Sequence, residues 1–511
     1  MNKSHNDAGQ ALVVVALAMV VLLGFMALGI DMGYLRYVRR QVQMAADAAA
    51  IAGAKEIHVC KGVTPCTAVT TAGLDAVSND NKFPSVTAST SCTPTPGLGA
   101  TEVTVKYPPA CGGSNDPNNG NTYFVEAVVA EQVPTLFAKE LGMGSSTISA
   151  RAEVQGVTNC IYGLNTTGNP VYALIATVNS ACGVVSNANI YATGACISAP
   201  SIDMVGSVSG FFGLCNGFFG GKSTSPSPPT KIPAAVADPL AGVLPPAISS
   251  ACVGITQAPK VITGPGTFAI PNGAYCGGIT ISGGAVVNFT GGGTYVIGGG
   301  TNNPSPGLSI AQGSTVNFGP IGSNQGYQID GGIKDGGSTI NFNTGCASTA
   351  CSTASLFVLY GGGLNLGVST GSFATKATGY GVTFYNTGSG PGGCATCYGT
   401  VNDIFAINTE LSAPTSGTFA GILFFQDRNN PQPATFAANF SFGAGTAATT
   451  GGYYFPDAQV NFDFDFGNAA EYTFLIADDI EWLVSFTFNN NYTHLPGQTS
   501  ILPVGQAALI E

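Results

Sequence analysis

The sequence predicts a mainly β protein: an N-terminal transmembrane helix, a small α+β domain and then a right-handed parallel β-helix. Three observations lead to this fold class. A run of twenty uncharged apolar residues lies near the N-terminus, and strand and helix patterns alternate after it up to about residue 157. Beyond that point, short β-rich runs alternate with glycine clusters, and three passages repeat each other.

The composition supports an ordered β architecture. At 511 residues the chain is too long for a single core, and only 8% of its residues are charged. The 71 glycines and 30 prolines alone would be compatible with disorder, but 45% of the residues are apolar and 29 are Phe. The net charge of −11 comes without a basic stripe, which excludes a nucleic-acid partner.

The apolar run Ala11–Ile30 predicts the membrane anchor. Twenty residues at helical rise match a hydrocarbon core of roughly 30 Å. The alternative is a cleavable signal peptide, but its apolar part would be about half as long, and no clear A-x-A cleavage site directly follows the run. Processed pilins are cleaved after a glycine that precedes the apolar span, and their fifth mature residue is glutamate. Here that glycine would be Gly9, and the fifth residue after Gly9 is Val14. We therefore expect an uncut anchor, with the mature chain beginning near Met1.

The flanking charges leave the orientation of the anchor open. Lys3 precedes the run, whereas Arg36, Arg39 and Arg40 follow it, which argues weakly against a cytoplasmic N-terminus. The cysteine-bearing bulk of the chain argues the other way, because long domains cross largely regardless of flanking charge. The prediction is a single-pass protein of the bacterial inner membrane, with most of the chain periplasmic or extracellular.

The helix is predicted to continue beyond the membrane. Apolar residues recur at spacings of three and four from Leu35 to Ala52, and the alanine-rich run Ala45–Ala54 would let another surface approach closely. Gly29 and Gly33 form a G-x-x-x-G pair at the membrane exit. Two interpretations remain open: contact with a second helix, or packing on the protein's own domain.

A family resemblance rests on this segment. Residues 9–56 read GQALVVVALAMVVLLGFMALGIDMGYLRYVRRQVQMAADAAAIAGAKE, with Gly9-Gln10 before the span, Asp31 and Gly33 after it, and Gln43 before the alanine run. The segment strongly resembles the N-terminus of TadG-like proteins of the Flp (tight-adherence) pilus-assembly system. VPTLFAKELGMGSSTISARAEV, residues 133–154, is similar to the end of that family's first domain. The resemblance implies a bitopic envelope protein whose partners are Tad/Flp pilus-assembly proteins.

Residues 1–57 are predicted to form the anchor and its extended helix. Residues 58–157 are predicted to form a small α+β domain. Strands are expected at Thr101–Tyr107, Tyr123–Ala130 and Thr147–Gln155 from their alternating patterns. A helix is expected to start at Pro134 and end after Leu141, because proline suits a first helical turn and Gly142 follows.

Residues 158–511 predict the β-helix. The repeats are ITISGGAVVNF, LSIAQGSTVNF and IKDGGSTINF, and their equivalent asparagines are Asn288, Asn317 and Asn341. Stacked turns would bring these asparagines into a side-chain ladder. The Pro-rich stretch 221–250 is expected to be an excursion from the β-helix. A β-sandwich of short strands is the rival architecture.

The 14 cysteines predict disulfides rather than metal sites. Only three histidines are present, too few for several zinc sites that combine cysteine and histidine ligands. An exported, loop-rich chain favours bridges. Near neighbours in sequence give the expected pairs Cys60–Cys66, Cys92–Cys111 and Cys346–Cys351.

The sequence offers few candidates for catalysis. Carboxylates cluster as Asp463 with Asp465, and as Asp478, Asp479 and Glu481. Glycoside hydrolysis needs two carboxylates facing one cleft, about 5 to 10 Å apart, but a solvated or calcium-binding edge is the favoured interpretation of Asp463 and Asp465.

Two further pairs have structural explanations. Asp427 and Arg428 are expected to form a surface ion pair at a strand end. Cys394 and Cys397 form a C-x-x-C in a Gly/Pro loop, which favours a loop clip over a redox site. No catalytic, cofactor-binding or metal site is therefore predicted.

The leading functional hypothesis is a membrane-anchored structural or adhesive protein of Tad/Flp pilus assembly. APTSGTFAGILFFQDRNN and YYFPDAQVNF look like passages of TadG-related proteins that carry a glycine-rich β-helix. No D-x-S-x-S adhesion motif of the von Willebrand type occurs. The alternatives are an anchored carbohydrate-active β-helix enzyme and a glycan-binding module that contacts surface glycans.

Overall fold

The chain folds into two compact units in a computed structural model. Unit 1 comprises Met1–Val157 together with Val504–Glu511, and unit 2 comprises Thr158–Pro503. The structure describes residues 7–60, 64–113, 116–121, 124–156, 159–215, 221–298, 307–321, 326–351, 353–367, 375–388, 397–403, 406–436, 448–462, 471–483, 485–491, 495, 502 and 508–510.

Unit 1 combines one long helix with a small sheet. Its elements are α1 (Asp7–Lys55), α2 (Ile57–Cys60), α3 (Thr67–Asp75), a π-helical turn (Ala76–Asp80), β1 (Val86–Ala88), β2 (Thr101–Lys106), β3 (Phe124–Pro134), a 3-10 helix (Ala138–Leu141) and β4 (Ser145–Gln155). β1 pairs with β2 in parallel, and β2, β3 and β4 pair antiparallel. The C-terminal strand Ala508–Ile510 adds antiparallel to β4.

The alanine stripe of α1 is buried inside unit 1. Val42, Ala45, Ala46, Ala49 and Ala50 are fully buried in one core with residues of β2, β3, β4 and α3. The lack of bulky side chains lets the sheet and α3 approach the helix backbone closely. Of the two interpretations of this run, the structure therefore supports packing on the protein's own domain.

The helix predicted from Pro134 to Leu141 is wrong at its start. β3 continues as far as Pro134, which pairs with Ser145 at the end of β4. Only Ala138–Leu141 is helical, as a 3-10 turn that ends at Gly142 with φ +87°. Proline is tolerated at the end of a strand, so its position alone did not fix the start of a helix.

Unit 2 is built almost entirely from short strands. In chain order they are β5 (Asn159–Gly163), β6 (Val171–Leu174), β7 (Thr177–Ser180), β8 (Gly183–Ser186), β9 (Ile190–Thr193), β10 (Cys196–Ser198), β11 (Ile202–Met204), β12 (Val208–Ser209), β13 (Thr224–Ser225), β14 (Thr230–Lys231), β15 (Lys260–Thr263), β16 (Gly266–Ile270), β17 (Gly273–Tyr275), β18 (Ile279–Ser282), β19 (Ala285–Phe289), β20 (Tyr295–Ile297), β21 (Leu308–Ile310), β22 (Thr315–Phe318), β23 (Gly326–Asp330), β24 (Ile333–Asp335), β25 (Thr339–Phe342), β26 (Ser355–Tyr360), β27 (Leu364–Leu366), β28 (Thr375–Gly379), β29 (Val382–Thr387), β30 (Val401–Asp403), β31 (Ala406–Ser412), β32 (Ile422–Gln426), β33 (Ala434–Phe436), β34 (Ala448–Phe462), β35 (Thr473–Trp482) and β36 (Phe486–Phe488). The strand of unit 1 at Ala508–Ile510 is β37.

These strands form a parallel β-helix with three faces. Each strand of β15 to β30 pairs in parallel with the strand three positions later, so one turn of the chain, here called a rung, contributes one strand to each face. The first face contains β15, β18, β21 and their successors, the second β16, β19 and β22, and the third β17, β20 and β23. The predicted β-helix is thereby confirmed as an architecture, and its right-handed winding remains the expectation for parallel crossovers.

The predicted asparagine ladder is confirmed. Asn288, Asn317 and Asn341 are register partners on successive strands of the second face. Asn317 Nδ2 donates to Asn288 Oδ1 at 2.7 Å, and Asn341 Nδ2 donates to Asn317 Oδ1 at 2.6 Å. Thr378 on the next rung extends the ladder by donating to Asn341 Oδ1.

The rungs do not stack in chain order. The C-terminal strands β35 and β36 pair in parallel with the N-terminal strands β5, β6 and β7. We call this junction the seam. The rungs formed by β5 to β14 stack outward from the seam in chain order. The chain then crosses to the other end of the stack. From there the rungs formed by β15 to β36 stack back towards the seam, where β35 and β36 meet β5, β6 and β7.

Residues 232–259, the strap, make that crossing along the third face. The side-chain carbonyl of Asn187 accepts a hydrogen bond from the backbone NH of Val236 at one end, and Cys252 bridges Cys276 at the other. Midway, the backbone NH of Ser249 donates to the side chain of Gln328. The predicted excursion at 221–250 is therefore corrected: its first part holds β13 and β14, and the remainder packs along the β-helix.

Aromatic rings fill the interior of the β-helix. Phe289, Phe318 and Phe342 stack on successive rungs of the second face, with ring centroids 4.8 and 5.5 Å apart. Rings from the third face, beginning with Tyr295 and Tyr327, meet this column edge to face. Ring stacking at the rung spacing of about 4.8 Å explains why Phe recurs in the repeats.

Disulfides join near neighbours in both units. The structure places bridges at Cys60–Cys66, Cys92–Cys111 and Cys346–Cys351, the three pairs named from sequence. The remaining bridges between described cysteines are Cys160–Cys182, Cys196–Cys215 and Cys252–Cys276.

The C-terminal boundary differs from the one expected. The β-helix was expected to extend to residue 511, but Val504–Glu511 belong to unit 1 because β37 pairs with β4. In chain order, unit 2 is thus an insertion between two neighbouring strands of unit 1.

Candidate functional site

A continuous outward-facing column of side chains runs along the first face of unit 2. Strand register places on it Val261, Thr280, Ser309, Lys334, Asn365, Asn402, Thr435, Asn461, Glu481, Tyr172, Tyr191 and Ser209. Most of its members are polar. The seam lies between Glu481 and Tyr172, so the column joins residues from both ends of the β-helix sequence.

The two tyrosines form an aromatic pair on this surface. In β6, Val171 and Ala173 are buried, and Tyr172 between them points outward. The same alternation in β9 turns Tyr191 outward. The two rings stack with centroids 4.8 Å apart and planes 9° from parallel.

A cleft of about 300 Å³ opens beside Tyr172 at the seam. The residues that line it are Asn165, Thr167, Gly168, Asn169, Tyr172, Gln459, Asp479, Ile480 and Glu481. They come from β6 and the loop that precedes it, and from β34 and β35. The cleft therefore exists only because the two ends of the β-helix sequence meet.

Amide and carboxylate groups in the cleft hold one another in place. Gln459 Nε2 donates to Glu481 Oε2 at 2.7 Å and to Asn461 Oδ1 at 2.6 Å. Asn165 Nδ2 donates to Asp479 Oδ2 at 3.2 Å and to Asp478 Oδ2 at 3.4 Å. Each carboxylate has further acceptor capacity beyond these bonds.

Burial and neighbouring negative charges shift the pKa values at the seam. Burial, with the charges of Asp479 and Asp457, raises the pKa of Asp478 to about 6. The pKa of Tyr172 is raised by burial and by the neighbouring Tyr191 and Glu481. Near neutral pH the cleft therefore presents a neutral phenol ring beside acceptor groups.

This combination is suited to a polyhydroxylated ligand. Hydroxyl groups find acceptors on Asp479 and Glu481, and an amphipathic ring such as that of Tyr172 offers an apolar surface with a polar tip. No group of three or more His, Cys, Asp or Glu in the described residues is arranged to hold a metal ion.

The structure brings together only some of the carboxylates considered as catalytic candidates in the sequence. Asp478, Asp479 and Glu481 lie together at the seam. Asp463 and Asp465 lie outside the described residues. Cys394 does also, whereas Cys397 is disulfide-bonded.

The expected ion pair between Asp427 and Arg428 is wrong. Asp427 is buried and accepts a hydrogen bond from Thr387. The Arg428 guanidinium donates to the carbonyls of Leu240 and Val243 in the strap, at 2.7 and 3.0 Å. The two residues lie in the turn that follows β32, where the Asp427 side chain turns inward to Thr387 and the Arg428 side chain reaches the strap.

Sequence reasoning missed Tyr172, Tyr191, Asn165 and Gln459. A signal was present, because Val171-Tyr172-Ala173 and Ile190-Tyr191-Ala192 are self-similar triplets on consecutive rungs. Their proximity to Glu481 depends on the seam, and pairing between distant segments leaves no local pattern.

A second candidate region lies in the N-terminal part of α1. Within α1, Val13–Lys55 qualifies as a candidate membrane span, with a window of mean hydropathy 2.9 and no burial by the protein. Asp31 directly follows the apolar run and is itself buried. Its Oδ1 accepts the backbone NH of Leu136 at 2.9 Å, and its Oδ2 accepts those of Phe137 and Ala138 at 3.0 and 2.6 Å.

Comparison with known proteins identifies the α1 segment. Residues 9–56 match the Tad family model, described as "Putative Flp pilus-assembly TadE/G-like". No curated protein and no solved structure shows a significant match to the chain. The match covers α1 almost end to end and agrees with the resemblance found in the sequence.

Proposed function

We propose that this chain is a membrane-anchored envelope protein of Tad/Flp pilus assembly, in which unit 2 serves as a rigid structural or adhesive element. The observation that carries the proposal is the family match over residues 9–56. Those residues lie almost entirely in one helix. Its apolar segment from Val13 to Ile30 is largely exposed, and one face of the part that follows packs into the core of unit 1. The segment therefore links the membrane and the first folded unit in one element.

The proposed topology places the N-terminus inside and both units outside the cytoplasm. The disulfides of both units support it, because such bridges persist in oxidising compartments. The inner membrane is the proposed location, since a single apolar helix is the spanning element found there.

Deletion of the gene in the bacterium that encodes this chain tests the role. Pilus number, counted by electron microscopy, should fall and should recover with the full chain. A Leu22→Arg/Leu23→Arg chain should not restore it, because two charges in the middle of the span oppose insertion. Lys334→Ala, at an exposed residue of unit 2 outside the cleft and far from the anchor in sequence, is the matched control. An unchanged pilus number after deletion would contradict the proposal.

The orientation has a separate test. Protease added to intact spheroplasts should digest unit 2 and leave a cytoplasmic control protein whole. Digestion only after lysis would place the units inside.

A carbohydrate-contact role for the seam is a second candidate. The stacked Tyr172 and Tyr191 beside a cleft lined by Asp479 and Glu481 support it. We expect binding without bond cleavage, because no catalytic constellation was predicted from the sequence.

An oligosaccharide array, followed by calorimetry, tests this candidate. Tyr172→Ala and Tyr191→Ala should each weaken binding, whereas Thr435→Ala, on the same column away from the cleft, should not. Product release that disappears in Asp479→Asn or Glu481→Gln would favour the enzyme alternative instead.

A further inference from the structure

A loop of unit 1 is fixed against α1 at the end of the apolar run. The loop, residues 135–144, follows β3 and precedes β4. Asp31 accepts three of its backbone NH groups, from Leu136, Phe137 and Ala138. These bonds cap the 3-10 helix and fix the loop at the level of α1 where the apolar run stops.

The loop also closes on itself. The backbone NH of Thr135 donates to the carbonyl of Gly144 at 3.3 Å, and the NH of Met143 donates to that of Ala138 at 3.1 Å. The hydroxyl of Thr135 donates to the carbonyl of Met143. These hydrogen bonds fix the backbone conformation of the loop, and the backbone in turn sets the directions of its side chains.

Three large apolar side chains of this loop are exposed. Leu136 is 49% exposed, Phe137 45% and Met143 56%. Phe137 and Glu140 line a groove of about 750 Å³ together with the side chains of α1 between Val21 and Ile30. The exposed apolar surface of the loop is thus continuous with that of the span.

Polar residues around this surface match a membrane interface. Arg36, Arg39 and Arg40 are exposed on the next turns of α1, and Tyr37 is exposed beside them. Aromatic and basic side chains are enriched where a span leaves the hydrocarbon. Lys139 of the loop is exposed, and a lysine at a membrane interface can extend its ammonium group towards lipid headgroups.

We propose that residues 135–144 form a membrane-contacting loop, in which Leu136, Phe137 and Met143 insert into the lipid interface beside the end of the span. The inference rests on the proposed membrane anchoring and adds a second contact to it. Two contacts, fixed to each other by Asp31, set the rotation and tilt of α1, which a lone apolar helix leaves undetermined. The occupant of the exposed surface is lipid, because the surface continues that of the span itself.

Tryptophan scanning of the full chain in vesicles of phosphatidylcholine and phosphatidylglycerol tests the proposal. The native Trp482 is fully buried in unit 2, so its signal is subtracted as the wild-type background. Phe137→Trp and, independently, Met143→Trp should show blue-shifted emission and quenching by lipids brominated on the acyl chains. Leu23→Trp, in the middle of the span, is the positive control.

Thr67→Trp is the matched negative control. Thr67 is exposed near Val69, which contacts Gly53, and the helical residues between Asp31 and Gly53 correspond to ~33 Å along α1. Its emission should not be quenched. In a Phe137→Trp chain, Asp31→Ala should reduce the quenching, because it removes the acceptor that positions the loop.

The outcomes separate the two claims. Quenching of Leu23→Trp without quenching at either 137 or 143 would overturn the loop proposal and leave the anchor standing. Absence of quenching at Leu23→Trp would overturn the membrane anchoring itself. Undiminished quenching after Asp31→Ala would contradict the positioning role of Asp31.

Discussion

Glu481 and Tyr172 are register partners on adjacent parallel strands, although they lie near opposite ends of the β-helix sequence. The pairing of β35 with β6 therefore joins the two series of rungs into one continuous stack. It also brings the two ends of unit 2 together, which suits its insertion between β4 and β37, two paired strands of unit 1.

Trp482 is expected to stabilise the seam. Its ring is fully buried, lies between Phe462 and Phe488, and belongs to the strand segment that pairs with Ala173. Trp482→Ala should lower the free energy of unfolding of unit 2 by about 3–5 kcal/mol in denaturant titrations.

Trp482→Phe is the control for that loss. The indole Nε1 has no acceptor among the described residues, so phenylalanine removes an unsatisfied donor while keeping a ring. Trp482→Phe should therefore lower the free energy of unfolding much less than Trp482→Ala does. Equal losses for the two variants would show that the ring itself contributes little.

Asn317 is expected to stabilise unit 2 through the asparagine ladder. It donates to Asn288 and accepts from Asn341, so Asn317→Ala removes two hydrogen bonds and should cost about 1–2 kcal/mol. Asn365 takes part in one such bond, with Asn402 at 2.9 Å, and Asn365→Ala should cost about half as much. Chemical denaturation of both variants measures the ratio, and a larger loss at Asn365 would contradict it.

The sequence predicted what local repetition encodes. Asn288, Asn317 and Asn341 recur within similar short passages, and stacking equivalent residues is the direct consequence of a repeat. The seam and the cleft beside Tyr172 could not be predicted, because they depend on pairing between segments that share no repeat. The strap could not be recognised either, since a Pro-rich composition describes an excursion and a packed crossing equally well.

Arg428 is expected to fasten the strap. It donates to two strap carbonyls, and its guanidinium lies over the rings of Phe425 and Tyr454, 5.7 and 5.3 Å from their centroids. Arg428→Ala should destabilise unit 2 by about 2–3 kcal/mol. It should also accelerate limited proteolysis near Leu244, which is already 75% exposed.

Lys334→Ala provides the comparison, because Lys334 is an exposed cation on the first face. Its removal should leave both stability and strap cleavage unchanged. Strap cleavage at the wild-type rate in Arg428→Ala would show that other contacts hold the strap.

Asp330 is expected to make unit 2 less stable as the pH rises. Burial raises the pKa of Asp330 to about 6 from an ordinary value of 3.8, against the opposing effect of the hydrogen bond from Gln328. The folded state therefore keeps a proton that the unfolded state releases, and its stability falls as the pH rises from about 4 to 6. At pH 7 the loss from this group is at most about 3 kcal/mol.

Asp330→Asn isolates this contribution. The amide keeps an oxygen for Gln328 and cannot ionise, so the variant should match the wild type at pH 4 and exceed it in stability at pH 7. Urea titrations at the two pH values measure the difference. If the free energies of unfolding of variant and wild type differed by the same amount at pH 4 and pH 7, the pKa of Asp330 would not be raised by folding.

Removing the N-terminal rungs should convert unit 2 into an aggregating fragment. A fragment of residues 158–503 retains the seam and is expected to unfold cooperatively as a monomer. A shorter fragment, residues 232–503, lacks β5 to β14, so the edge of β35 that pairs with Ile161 and Val171 loses its partners. That edge carries the buried apolar residues Leu475 and Ile480, and an exposed apolar edge strand templates pairing between chains. Size-exclusion chromatography with light scattering should show assemblies only for the shorter fragment. A soluble, monomeric 232–503 would mean that the β-helix is complete without the seam.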